Sequence, residues 1–206
     1  SQVVVPALRA SFEALYPDAR ITQQELDQAQ IFSKLRRSEI DVAITYDMEI
    51  PMDIHFEKLI SLATNVMLPI DHPMAQQSDV SLRELEAEPM VLLDLPLSRD
   101  YFLSTLRMAN VRPNIAERTT DLSVVRALVA NGFGYSLVNI GTKQTHSPDG
   151  LELAILPVRE KVNPVTLGLA TKQTVQKSGV VAAFFDHARA QIEEDVLLVK
   201  SGLPKP

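Results

Sequence analysis

The sequence predicts an α/β fold in which mixed, mostly parallel sheets are flanked by helices. Three observations carry this. Apolar runs rich in β-branched residues, such as "IDVAITYD" at 40–47, alternate along the chain with segments of helical period. Several of those segments carry start or stop signals: "SLRE" at 81–84 is a capping box, and Asn131-Gly132 is a helix stop with Gly132 suited to a left-handed position. No internal repeat, low-complexity stretch or flexible linker interrupts the pattern. If the chain forms two lobes, it must pass between them within strands.

The elements follow in order. Pro6 suits a first helical turn, and Leu8, Phe12, Leu15 and Tyr16 lie on one face of the helix that Pro17-Asp18 ends. A short strand is expected at 20–25. Asp27 can cap a second helix with Ile31 and Leu35 on its buried side. Strands are expected at 40–47, 56–62 and 64–69, then a turn at Asp71-His72-Pro73 and a short helix after Ser81. A strand at 90–93 leads into a helix from Ser98 to about Asn110, with Ser98 as its N-cap. "VRPNIAERTT" holds a short strand. Thr120 can cap the next helix, which carries Leu122, Val125 and Val129 on one face. Strands at 135–139, in "LELAILPV" and in "VTLGLAT" follow. Val181, Phe184, Phe185, Ala188 and Ile192 mark a closing amphipathic helix, and the tail "KSGLPKP" is expected to fray.

Composition excludes several function classes. The 206 residues are 46% hydrophobic and 22% charged, enough to bury a core without staples. Cysteine is absent, so there is no disulfide, thiolate nucleophile or cysteine metal site, which fits a reducing, cytoplasmic setting. The net charge of −6 argues against this chain itself holding nucleic acid. The densest basic run, Lys34 to Arg37, is followed by Glu39 and Asp41 and reads as a solvated helix end. No apolar stretch reaches the roughly 18 residues of a membrane span, and the start does not read as a signal peptide.

Catalytic equipment is poor. His55, His72, His146 and His187 are scattered without ligand spacing, so no metal is expected. There is no G-x-S-x-G elbow, and Ser98 reads as a helix cap rather than a nucleophile. "NGFG" at 131–134 is not a dinucleotide loop, because it follows a helix rather than a strand. Glu193-Glu194-Asp195 is a polar helix end. The expectation is a binding module without a cofactor, not an enzyme. Its equipment is helix N-termini and polar residues at strand ends, arranged to converge on a cleft.

Three stretches together resemble one family. "LRRSEIDVAITYD" resembles its helix-then-strand segment, with Ser38-Glu39 where Gly-Glu is usual. "LPIDHPMAQQSDVSLRELEAEPMVLLD" resembles its strand, His-Pro turn, short helix and next strand. "VRALVANGFGYSLVN" resembles its helix, glycine turn and buried strand. The ordered set is similar to the effector-binding domain of LysR-type transcriptional regulators, over about Pro6 to Ile192.

The resemblance implies a two-lobe fold like the type 2 periplasmic binding proteins. Lobe I would take 1–64 and 172–206, and lobe II 65–171. The implied function is to bind a small, anionic metabolite between the lobes and relay it to DNA binding. By position, the implied effector-binding residues are Ser1, Gln2 and Val3; Thr45 and Tyr46; Leu97, Ser98 and Arg99; Thr119 and Thr120; and Phe133, Gly134 and Tyr135. The family's winged helix-turn-helix and the first strand of lobe I are not found in this sequence, so the resemblance implies a fragment. It also implies homodimers, tetramers when full length, with the helix at 27–38 as one contact face, and DNA contact only through the missing domain. A solute receptor of a transport system is the alternative on the same fold.

Overall fold

The computed structural model describes residues 4–139, 145–173 and 178–193. Contacts divide the chain into two compact units. One takes the described residues up to Ser61 and from Val165 onward; the other is Leu62–Pro164.

In the first unit, helix α1 (Val4–Leu15) buries Val4, Leu8 and Phe12, a spacing of four that keeps them on one face. The Phe12 ring packs edge-on to Phe184 at 5.2 Å, on the closing helix Gly179–Glu193. Helix Gln28–Arg36 (α2) begins at Asp27, whose carboxylate accepts the Gln30 amide while the Gln30 side chain accepts the Asp27 amide. This reciprocal cap satisfies two donors that the first turn would otherwise leave open. Its buried residues are Phe32 and Leu35, with Ile31 only partly covered.

The sheet of this unit places the strand Val165–Lys172 between Ala43–Tyr46 (β1) and Ile54–Leu62 (β2). β1 pairs with Val165–Lys172 antiparallel, Thr45 opposite Gly168 and Tyr46 opposite Leu167. That strand therefore belongs to the first unit, and the border expected at 171/172 lies at 164/165 instead. The reason is hydrogen bonding: "VTLGLAT" reads equally well as a strand of either unit until its ladder partner is known. The expected strand at 20–25 does not form; residues 19–27 are irregular.

In the second unit, Asn65–Pro69 (β3) is buried along its whole length. It pairs antiparallel with Ser136–Val138 on one side and Leu153–Pro157 on the other. Pro89–Leu93 (β4) pairs parallel with Asn114–Thr119. A parallel bridge from Met90 to Tyr135 joins this pair to the three-stranded sheet. The Val91 amide donates to the Tyr135 carbonyl at 2.8 Å, and the Tyr135 amide to Pro89 at 2.9 Å. Among the described residues the sheets are mixed, as expected. Antiparallel ladders are more prominent than the expected parallel pairing, because β3 runs against both of its neighbours.

Alternation sorts the two faces of this sheet. Val66, Leu68, Met90, Leu92, Tyr135 and Leu137 join one core with Phe102 and Leu106 of helix Pro96–Met108 (α3). Met67, Val91, Leu93 and Val138 join a second core with Val125 and Val129 of helix Leu122–Ala130 (α4). Successive side chains point to opposite faces, so an apolar run is buried on both sides only when helices cover both. Each such side chain contributes roughly 1.5–3 kcal/mol relative to exposure. Numbered in chain order, the remaining strands are β5 (Asn114–Thr119), β6 (Ser136–Val138), β7 (Leu153–Pro157) and β8 (Val165–Lys172), and the closing helix is α5.

Candidate functional site

The parallel pairing of β4 and β5 brings their carboxyl ends together at Leu93 and Thr119. β6 ends at the same edge, because Val138 stands opposite Asn65, where β3 begins. Polar groups gather there. The Asp94 amide extends the ladder to the Thr119 carbonyl at 2.8 Å, and Thr119 Oγ1 accepts the Asp121 amide at 3.2 Å.

The chain then enters α3 directly. Its N-cap is Leu95, which has no side-chain acceptor to offer, and Pro96 occupies the first helical position. Ser98 therefore stands within the first turn and is not the cap expected from the sequence. Proline lacks an N–H, so the open donors of this turn are the amides of Leu97 and Ser98. A helix end with open amides and no side-chain cap favours an anion.

Arg99 does not stand free beside it. Its guanidinium donates to Asp100 at 3.0 Å and to Asp94 at 3.2 Å, and these bonds raise its pKa in that order. Arg118 reaches the other Asp94 oxygen at 3.3 Å. Asp94 thus lies between two cations, which offset its charge next to the open amides.

A second polar group lies on the same edge. Tyr101 Oη is 2.6 Å from Thr64 Oγ1 and 2.8 Å from the Asn163 carbonyl. Asn139 Nδ2 reaches Thr64 Oγ1 and the Ala63 carbonyl, both at 3.3 Å. Thr64, Tyr101, Asn139, Asp94 and Arg118 were not among the expected site residues. The signal available for two of them was a polar residue interrupting an apolar strand run, at Thr64 and Asn139.

The other expected residues fall as follows. Ser1, Gln2 and Val3 lie outside the described residues. In the first unit, Thr45 is buried and Tyr46 partly buried at the end of β1. Burial pushes the Tyr46 phenol up. Thr120 is exposed, and the cap expected there is made instead by Asp121, which accepts the Ser123 amide at 2.7 Å.

Phe133, Gly134 and Tyr135 stand at the other end of the sheet, level with Pro89. Gly134 lies against Pro89, four residues or about 13 Å from the Leu93–Thr119 edge, and Tyr135 bridges Met90, three residues or about 10 Å from it. Phe133 is 53% exposed, and Tyr135 is 1% exposed within the α3-side core. Among the described residues, no group of three or more His, Cys, Asp or Glu is placed to hold a metal.

Comparison with known proteins decides the family. The LysR substrate binding domain family matches residues 1–193. The chain belongs to that family. The Hca operon transcriptional activator HcaR of Escherichia coli is 27% identical over 142 residues, 66% of this chain and 47% of that protein. A solved C-terminal domain of a probable LysR family regulator from Rhodococcus sp. RHA1 is 30% identical, with a TM-score of 0.84 over 89% of this chain and 90% of that one.

Two of the matching structures hold bound small molecules. The effector-binding domain of QuiR with shikimate is 21% identical, with a TM-score of 0.77 over 92% of this chain and 90% of that one. The effector-binding domain of BenM with benzoate is 17% identical, with a TM-score of 0.82 over 94% of this chain and 88% of that one. At such identities the likeness shows the fold alone. The LysR-type domain here spans about half the length of the curated relatives it matches. Those with descriptive names are transcriptional regulators, which does not favour the transport-receptor alternative.

Proposed function

We propose that this domain senses a small carboxylate and that the first turn of α3 receives the carboxylate group. The observation that carries the reading is the uncapped turn at Leu97 and Ser98, set at the shared edge of β4 and β5. Two open amides and the Ser98 hydroxyl can each donate to a carboxylate oxygen. Thr119 adds a hydroxyl at the same edge of the second unit. Shikimate and benzoate in the two related domains are both carboxylates, which supports this class.

The wider reading follows the family. The domain reports effector occupancy to a DNA-binding segment elsewhere in a cytoplasmic regulator that works as a homodimer or tetramer, and it performs no catalysis. Effector binding acts by favouring one of two conformations, so it must have different affinity for the two.

A thermal-shift panel of small carboxylates and their uncharged amides tests the site. At about 100 times its dissociation constant, a ligand adds about 2.7 kcal/mol of stability. Carboxylates are expected to raise Tm and the matching amides are not. Equal shifts from acid and amide would contradict the reading.

A further inference from the structure

Two polar residues stand near the borders of the second unit. Thr64 is its third residue and Asn163 its last but one, so they mark where the chain enters and leaves. One side chain holds both. Tyr101 Oη lies 2.6 Å from Thr64 Oγ1 and 2.8 Å from the Asn163 carbonyl oxygen.

The direction of these bonds is determined. A carbonyl only accepts, so the single Tyr101 hydroxyl proton goes to Asn163. Thr64 must then donate its proton to Tyr101. Thr64 Oγ1 in turn accepts from Asn139 Nδ2 at 3.3 Å, and the same amide group reaches the Ala63 carbonyl. Donors run one way, from Asn139 through Thr64 and Tyr101 to Asn163. Thr64 is only 4% exposed, so bulk water has little access to replace a lost partner.

We propose that Tyr101 is a lock that makes the two passages of the chain yield together rather than separately. It is a positioning residue, anchored in α3 and acting on the Thr64 side chain at one border and on the Asn163 backbone carbonyl at the other. The lock goes beyond the effector reading and stands without it.

Amide hydrogen exchange on the 206-residue chain tests the lock. Tyr101→Phe removes one oxygen and keeps the ring. It is expected to speed exchange at both passages, Ala63 to Asn65 and Asn163 to Thr166, by roughly fivefold to tenfold, the net worth of about one hydrogen bond. Amides of β4, at Val91 and Leu92, serve as the reference and are expected to stay within about twofold. Thr64→Val leaves the Tyr101–Asn163 bond in place, so it is expected to speed exchange at the first passage only. Faster exchange in Tyr101→Phe at one passage alone, at neither, or equally at the β4 reference would overturn the proposal. So would a Thr64→Val variant that loosens both passages as much as Tyr101→Phe does.

Discussion

Gly134 sits so close to Pro89 that a methyl group on its α-carbon would stand 2.1 Å from the Pro89 carbonyl oxygen. The obstacle is backbone that also accepts the Tyr135 amide, so it cannot swing away. The φ of +136° adds to the demand for glycine. Gly134→Ala is expected to cost about 2 kcal/mol or more. Denaturant unfolding measures it; a cost below about 0.5 kcal/mol would show that β4 and β6 can part here freely.

Among the described residues, Tyr135 buries its hydroxyl without a hydrogen-bond partner. Burial, together with the charge of Glu88, pushes that phenol far up, so it stays neutral. An unsatisfied buried hydroxyl costs stability rather than adding it. Tyr135→Phe is expected to leave the protein as stable or to stabilise it by about 1 kcal/mol. A loss of more than about 1 kcal/mol in chemical denaturation would mean that the hydroxyl has a partner.

Glu160 anchors the short 3-10 turn Leu82–Leu85. Its carboxylate accepts the Ser81 hydroxyl at 2.6 Å and the Leu82 amide at 3.0 Å. Burial alone would raise its pKa, but these bonds and Arg159 outweigh it and hold it below the ordinary 4.5. A depressed folded pKa means stability that is present above the unfolded value and lost as pH falls through the folded one. Glu160→Gln is expected to cost about 1–2 kcal/mol at neutral pH. The gap to the parent should narrow below the ordinary glutamate value of 4.5. A gap that stays constant down to the acid transition would contradict this assignment.

Asp94 is the one carboxylate that lies between Arg99 and Arg118 among the described contacts. Its charge opposes an anion at the adjacent turn. Asp94→Asn is expected to tighten carboxylate binding roughly twofold to tenfold at low salt, with the gain shrinking as ionic strength rises. Calorimetric titration at two salt concentrations reads it. Weaker binding in the variant would mean that Asp94 shapes the site rather than repels its ligand.

How much of this was legible depends on range. The apolar runs expected at 64–69 and 90–93, the cap at Asp27 and the capping box at Ser81 are local signals, and each is met to within a residue. Adjacent cap formers blurred boundaries: Asp121 outcompetes Thr120, and Pro96 at the first helical position, rather than Ser98, marks the start of α3. "RITQQE" at 20–25 has β-branched residues but gains no ladder partner.

Other relationships are non-local. Nothing near Phe133 says which end of the sheet it occupies; the register of Tyr135 against Met90 settles that. Nor does the sequence reveal that Tyr101 meets both Thr64 and Asn163. Such contacts depend on pairing between distant segments, which no window of residues contains.

The most direct test of the proposed carboxylate site is Ser98→Asp. A carboxylate built into the first turn should occupy the open amides and suit the helix dipole, so stability should hold or rise by roughly 0.3–1 kcal/mol. Calorimetric titration with whichever carboxylate raises Tm in the parent protein is then decisive. Binding is expected to be lost in this variant while its folding is intact. Unchanged affinity in a stable Ser98→Asp protein would place the effector elsewhere.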